Sequence, residues 1–425
     1  MPNTTDTSNP INQEGFTTQI LHHDRRSCDG LAEVHAPTCN SVLFGYEKTE
    51  DLCDVFQGRS NNHAYARQST PTTNTLQSLV ALTEDSPRSL LFSTGMAALS
   101  SMCLTLLKAG DHLIASRFLF GNTHSFFNSL IGYGIEVSFV DTCDATQVAE
   151  AVKENTRMVF TETLANPGTQ IPDFKGIAKI CNSHNLVFVI DSTLTTGYVC
   201  KGKELGAHFV VMSLTKAFNG HGNVLGGALV DTGTYDWSNY PNIFEAYRKG
   251  DPYLWGLQQV KKKGLRDMGA TLSAESASRI AIGVETIALR LERSCSNATA
   301  LAAALAKHPK VETVYHPSLE SHPQFNRAKE YFRLPGYLMS LDLKAGYDPI
   351  EFLNAMPLVI NATHLGDNRT LALPVAKTIF HEMGFDNRQA QGISENMIRC
   401  SIGIEDPQDL LDCFINALDK LEHKE

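Results

Sequence analysis

No two of the ten cysteines stand closer than eleven positions apart, so the sequence offers no CxxC half-site for zinc or for a thioredoxin-like redox pair. An apolar segment near the start is also missing. Residues 1–14 are polar and rich in Asn and Thr, which excludes a signal-peptide core there and reads as a frayed tail. The longest stretch free of charge, residues 89–107, is interrupted by Ser93, Thr94, Gly95, Ser100, Ser101 and Thr105. It therefore reads as strand, turn and buried helix, and not as a membrane span. Runs of basic residues are confined to Lys261-Lys262-Lys263, a solvated helix face. With 36 Lys plus Arg against 46 Asp plus Glu, the net charge of −10 opposes non-specific attachment to nucleic acid or an anionic membrane. His22-His23 and His381 have no partner at metal-ligand spacing, so no metal is expected. Single cysteines scattered through a long chain fit reduced thiols in a cytoplasmic setting.

What is present is the composition of a globular protein, 42% hydrophobic and 19% charged over 425 residues. That length suggests two or three domains. Short apolar runs rich in β-branched residues recur at 112–115, 137–140, 158–160, 187–190 and 209–212, with helix-length segments between them. The alternation predicts an α/β fold with a mainly parallel sheet covered by helices on both faces. Polar residues follow the runs directly, at 117–122, 162–166, 191–193 and 213–216. Ligands of open α/β sheets bind beyond the carboxyl ends of the strands, so the pattern gathers reactive groups on one sheet edge. From about residue 276 a long helix is expected over 279–307, with Ile280, Val284, Ile287, Leu291 and Ala298 at helical spacing, followed by a strand at 311–315. The expected division is an irregular N-terminal arm, 1–68, a large domain, 69–275, and a smaller C-terminal α/β domain, 276–425.

Lys216 closes the segment Ser213-Leu-Thr-Lys216 just beyond the run 209–212. A partly desolvated lysine among small hydroxyl residues suits an imine with an aldehyde cofactor, with Ser213 and Thr215 turned to a phosphate. Asp191 ends the apolar run Val187-Phe-Val-Ile-Asp191, where a carboxylate is costly unless a cation compensates it. The separation from Lys216 matches one strand-helix-strand unit and puts both on the same edge. A protonated ring nitrogen at Asp191 and an imine at Lys216 is the arrangement expected for pyridoxal phosphate. An exposed loop lysine and a helix-capping aspartate are the plain alternatives for each residue alone. Phe92-Ser-Thr-Gly95-Met96 turns from strand to apolar helix, whose first N–H groups can hold a phosphate. Gly220 to Gly227 does not match a dinucleotide loop, and His221 within it reads as a structural hydrogen-bonding residue.

Tyr65-Ala-Arg67-Gln-Ser-Thr-Pro71-Thr72, Ser93-Thr-Gly95-Met96, Glu162-Thr-Leu-Ala-Asn166-Pro167, Asp191-Ser-Thr193, Ser213-Leu-Thr-Lys216 and Ile398-Arg399-Cys-Ser-Ile-Gly403-Ile-Glu405 follow one another in this order. In this the chain resembles, from about residue 16 to 421, the Cys/Met-metabolism pyridoxal-phosphate enzymes, among them cystathionine γ-synthase, methionine γ-lyase and O-acetylhomoserine sulfhydrylase. The segments 264–273, 283–293 and 365–371 look most like the sulfhydrylase branch, the first two also like methionine γ-lyase. The resemblance implies an aspartate-aminotransferase-like (fold type I) architecture and a small amino-acid substrate. It implies that Lys216 binds the cofactor and shuttles protons, while Asp191, beside Thr193, holds the pyridinium. Gly95, Met96, Ser213 and Thr215 would take the phosphate, with Tyr65 and Arg67 reaching in from a neighbouring subunit of a tetramer. Asn166 would meet the ring hydroxyl, Phe120 stack on the ring, and Arg399 bind the substrate carboxylate, with Asn122 and His364 close to the substrate.

Three departures shape the functional expectation. The family usually has Tyr in a Tyr-Gly-x-Thr motif over the ring, and here the motif reads Phe120-Gly121-Asn122-Thr123. Phe keeps the stacking surface and loses the proton. Methionine γ-lyases tend to carry Cys where Asn122 stands, and His364 occupies a position commonly Ser or Asn. The expected activity is γ-elimination or γ-replacement on a homoserine-type amino acid with an oxygen-linked leaving group. It leans to canavanine γ-lyase, with O-acetylhomoserine sulfhydrylase and then methionine γ-lyase as alternatives. A catalytically idle, cofactor-binding scaffold is the alternative from another class.

Overall fold

The computed structural model describes residues 14–27 and 33–424; most of the expected tail, and Cys28, lie outside the described residues. Among the described residues twelve strands form two sheets. The larger contains β1 (Arg88–Phe92), β2 (His112–Ser116), β3 (Glu136–Val140), β4 (Thr156–Glu162), β5 (Val187–Asp191), β6 (Phe209–Met212) and β7 (Gly227–Asp231). Their order is β1-β7-β6-β5-β4-β2-β3. Pairs within β2–β6 are parallel, and β7 runs antiparallel to both β6 and β1. Six of the seven strands thus share one direction, and all five runs expected from the sequence are strands of this sheet.

The continuous apolar character of these strands has a direct cause. Val187 and Val189 join one hydrophobic core, with Leu99 and Met102 of the helix Gly95–Leu106 and Phe127 of the helix Gly121–Gly132. Phe188 and Ile190 join the other, with Leu76 and Val80 of the helix Pro71–Thr83 and Ile177 of the helix Phe174–Ser183. A strand buried on both faces has no polar face to alternate with. The Lys261–Lys263 run lies on a π-helical segment, Val260–Arg266, whose inner side buries Val260 and Leu265.

The smaller sheet comprises β8 (Val311–Tyr315), β9 (Leu338–Leu343), β10 (Ile360–Asn361), β11 (Leu371–Pro374) and β12 (Met397–Ser401), in the order β10-β11-β12-β9-β8. It is antiparallel apart from the β10–β11 pair. The helix expected over 279–307 is two helices, Ala274–Val284 and Ile287–Leu305, separated at Glu285 and Thr286. Apolar spacing continues across the break, but the turn delivers the Gly283 carbonyl and the Thr286 hydroxyl to Arg290. The expected boundary at 275–276 falls inside the first helix, whose Ala277, Ile280 and Val284 pack in the large-sheet core. The second helix joins both bodies: Ile287 and Leu291 face the large-sheet core, Leu301 and Leu305 the small-sheet core. Among the described residues no helix is long and apolar enough to cross a membrane.

Candidate active site

Since β1, β4, β5 and β6 point the same way, their carboxyl ends bring Phe92, Glu162, Asp191 and Met212 to one edge. The loops beyond them are tied together by hydrogen bonds. Ser213 N–H donates to Thr193 Oγ1 (2.9 Å), and Thr193 N–H donates to Asp191 Oδ1 (2.8 Å). The Thr215 hydroxyl donates to the Gly226 carbonyl (3.2 Å) and accepts from the Gly226 N–H (3.0 Å), so its proton is already engaged.

The turn after β1 forms a close cradle. Thr94 Oγ1 accepts from Ala97 N–H at 3.0 Å, capping the helix that begins at Gly95 and leaving its first amides directed beyond the helix end. A Cβ on Gly95 would stand 2.8 Å from the Ser213 Cβ, and one on Gly227 only 2.0 Å from the Thr94 carbonyl oxygen. Both glycines are therefore needed for these segments to meet. Ser213 thus stands against Gly95 at the start of this helix, where the free amides of the first turn suit an anion.

Lys216 is half-buried, with Nζ 3.2 Å from His364 Nδ1. Burial, and then the charge of Arg399, bring its pKa down to about 8. Burial and the Lys216 charge bring that of His364 down to about 4. Arg399 is fully buried on β12; its Nη2 donates to the Thr363 and His364 carbonyls, both at 3.2 Å. Its Nε and Nη1, like His364 Nε2 and Asn166 Oδ1, are buried without a hydrogen-bond partner.

The sequence reading gave no role to two residues of this edge. Glu162 is the Cα partner of Asp191 across β4 and β5, and its Oε1 accepts from Phe120 N–H at 2.8 Å. Burial, and then the neighbouring Asp191 charge, hold the Glu162 carboxyl well above the ordinary carboxylate range, and burial raises Asp191 too. A carboxylate ending a strand beside the aspartate was the available signal for Glu162. Arg290 is buried and donates to the carbonyls of Ala217 (2.8 Å), Phe218 (3.1 Å) and Gly283 (2.8 Å), clamping the turn that follows Lys216. On its own helix it looks like any surface arginine.

Phe120 is half-buried and Asn122 exposed at the start of the helix Gly121–Gly132. Tyr65 and Arg67 are exposed, on the arm that bridges Leu43 to Tyr65. Arg67 Nη1 donates to the Arg266 carbonyl (2.5 Å), and its guanidinium lies 5.6 Å from the Tyr65 ring centroid. Among the described residues neither shares a hydrogen bond with Lys216 or Ser213. His221 Nδ1 lies 2.6 Å from the Asn219 carbonyl oxygen, the backbone contact expected of it. Among the described residues no three His, Cys, Asp or Glu side chains gather in a metal-binding group.

The edge thus offers an amine, an anion cradle, a carboxylate and unpaired donors and acceptors within one site. Residues 17–419 match the family described as Cys/Met metabolism PLP-dependent enzyme. The chain belongs to that family. An L-methionine γ-lyase of Pseudomonas putida is 34% identical over 400 residues, which cover 93% of this chain and 95% of the relative. A sulfhydrylase of Fusarium oxysporum is 34% identical over 423 residues, covering 96% and 98%. Among solved structures, a putative O-acetylhomoserine (thiol)-lyase of Campylobacter jejuni carrying pyridoxyl-lysine phosphate superposes with a TM-score of 0.90 at 26% identity, covering 96% of this chain and all of that one. A cystathionine γ-lyase of Lactobacillus plantarum, complexed with L-serine, gives 0.86 at 26% identity, covering 96% and 100%. The protein is therefore a fold type I enzyme of the PLP-dependent γ-lyase, γ-synthase and sulfhydrylase kind, with pyridoxal phosphate as cofactor, and the idle-scaffold alternative falls. The residues present fit that group: the Gly95–Ser213 cradle suits its phosphate and the unpaired Asn166 Oδ1 its ring hydroxyl.

Proposed function

We propose that this enzyme acts at the γ-carbon of a homoserine-type amino acid and releases an oxygen-linked group. The favoured substrate is canavanine, converted with water to homoserine and hydroxyguanidine. Phe120 carries this reading. Its N–H is tied to Glu162, one strand from Asp191, so its ring belongs to the same sheet edge and offers stacking without a proton. General acid help contributes about 10²–10⁴-fold, and its absence weighs most on poor leaving groups such as thiolates. A carboxylate, or an oxygen bonded to a guanidino nitrogen, departs more readily.

Pyridoxal phosphate, when bound, withdraws electrons so that Cα and then Cβ can lose protons. Lys216 carries those protons, and its depressed pKa keeps part of its amine unprotonated near neutrality. Asp191, oriented by Thr193, takes the ring nitrogen; Gly95, Met96, Ser213 and Thr215 take the phosphate, Thr215 by exchanging its bond to Gly226. Asn166 meets the ring hydroxyl. Arg399 offers the unpaired N–H groups on its Nε and Nη1 to the substrate carboxylate, as charge-assisted donors. Tyr65 and Arg67 complete a neighbouring subunit's phosphate site in a tetramer of two such dimers, in the cytoplasm. Asn122, exposed at the mouth, faces the substrate side chain.

A second reading, O-acetylhomoserine sulfhydrylase, is favoured by the likeness to the Campylobacter jejuni protein and the Fusarium oxysporum sulfhydrylase. Methionine γ-lyase comes third, on the Pseudomonas putida relative. The experiment is a screen of purified enzyme against canavanine, O-acetylhomoserine plus sulfide, cystathionine and methionine, reading homoserine, hydroxyguanidine, oxo-acid and thiols separately. Equimolar homoserine and hydroxyguanidine as the fastest products support the proposal; homocysteine from O-acetylhomoserine selects the second reading, and preferred turnover of methionine overturns both.

A further inference from the structure

His364 lies between β10 and β11, in a loop fastened to the turn that carries Lys216. Gly366, at φ +65°, approaches that turn so closely that a Cβ would stand 2.6 Å from Ala217 N. Its N–H donates to Ser401 Oγ (2.8 Å), and Asn368 N–H donates to the Gly220 carbonyl (3.0 Å). The His364 carbonyl accepts from Arg399 Nη2. These anchors bring Nδ1 to 3.2 Å from Lys216 Nζ. The charged groups facing the ring are Lys216, Arg399 and Asp367, and Arg399 also faces Lys216.

Two cations flank the imidazole, so a proton on it would add a third positive charge, and burial acts the same way. The ring is neutral at neutral pH, in keeping with a pKa of about 4. An ammonium has three donors and no acceptor, so Nδ1 accepts from Nζ and the ring proton resides on Nε2. Among the described residues Lys216 has no carboxylate within ion-pair distance, and its amine meets the imidazole Nδ1 as an acceptor.

We propose that His364 is a positioning residue for Lys216: its Nδ1 accepts from Nζ, aims the tip of the lysine, and stabilises the protonated amine against repulsion by the like charge of Arg399. The proposal rests on Lys216 being the cofactor lysine and is independent of which substrate the enzyme takes.

Asn at position 364 sets an amide acceptor near the place of Nδ1, Gln sets it nearer Nε2, and Leu offers none. The full-length protein, freed of cofactor with hydroxylamine, is acetylated with acetic anhydride over a pH series, and the peptide containing Lys216 is read by mass spectrometry. The wild type should show a midpoint near 8. His364→Leu should lower it by about one unit, through loss of a hydrogen bond to a charged group, and His364→Asn should restore most of that shift. In the holoenzymes kcat should follow the same order, with smaller changes in KM. An unshifted midpoint in His364→Leu, or Asn behaving as Leu, overturns the proposal, since the ring would then only fill space. Should His364→Leu fail to fold, Asn against Gln decides: a midpoint near wild type for Asn and lowered for Gln supports the proposal, equal shifts overturn it. The acetylation needs no bound cofactor, so its result stands apart from the test of Lys216 as cofactor lysine, which Lys216→Ala provides.

Discussion

Phe120 N–H donates to Glu162 Oε1 at 2.8 Å, linking the aromatic ring at the site's edge to the carboxyl that stands across from Asp191. Since burial and then the Asp191 charge hold the Glu162 carboxyl well above the ordinary carboxylate range and so favour its neutral form, a neutral amide of the same shape should replace it. Glu162→Gln should retain cofactor binding and thermal stability close to wild type. Glu162→Ala, which leaves a buried N–H unpaired, should cost about 1–3 kcal/mol. Thermal unfolding of the two variants checks this; equal losses in both would show that the bond to Phe120 does not hold the turn.

A second buried acid makes stability depend on pH. Glu84 accepts from Gly202 N–H (3.1 Å) and Ser192 Oγ (3.4 Å), and burial raises its pKa from 4.5 to about 7. The folded state then binds this proton more tightly than the unfolded state, so the contribution is complete below pH 4.5 and is lost as pH rises towards 7. The change amounts to at most about 3 kcal/mol. Glu84→Gln should flatten the stability profile over that window in denaturant titrations; an unchanged slope would remove Glu84 as its source.

Lys216→Ala should abolish the long-wavelength absorbance that pyridoxal phosphate gives the native protein. Asp191→Ala should weaken cofactor binding or leave a coloured enzyme that turns over poorly, because the ring nitrogen loses its counter-charge. Spectra and equilibrium dialysis with added cofactor measure both. A colourless wild-type preparation that gains no absorbance with cofactor would contradict the assignment.

The exposed positions of Tyr65 and Arg67 bear on assembly. If they serve a neighbour, mixing Arg67→Ala subunits with Lys216→Ala subunits should restore part of the activity, since one site of each hybrid dimer then has both residues intact. No recovery under proven subunit exchange would place the two residues outside the site.

The central strands were legible because they are buried on both faces, so their apolar runs needed no alternation to be seen. Asp191 was legible because it ends such a run with a charge that burial makes costly, and Lys216 because it stands just beyond the run 209–212 among small hydroxyl residues. Other features depend on tertiary partners that no local pattern announces. β7 follows a glycine-rich loop and is reversed in the sheet; its strand character comes from pairing between β1 and β6. The break at Glu285 and Thr286 is hidden by apolar spacing that runs through it. Arg290 and Glu84 resemble surface charges until the carbonyls of Ala217 and Phe218, or the Gly202 amide, are seen to meet them. The proximity of His364 to Lys216 joins residues 148 positions apart.

The most direct test compares kcat/KM for canavanine and O-acetylhomoserine with that for methionine, in the wild type and in Phe120→Tyr. Loss of general acid help should leave the oxygen-linked substrates ahead of methionine by about 10²-fold or more. Restoring the hydroxyl in Phe120→Tyr should narrow that ratio by raising the methionine rate. Efficient turnover of methionine by the native enzyme, with no gain in Phe120→Tyr, would contradict the claim that the missing proton at Phe120 sets the substrate class.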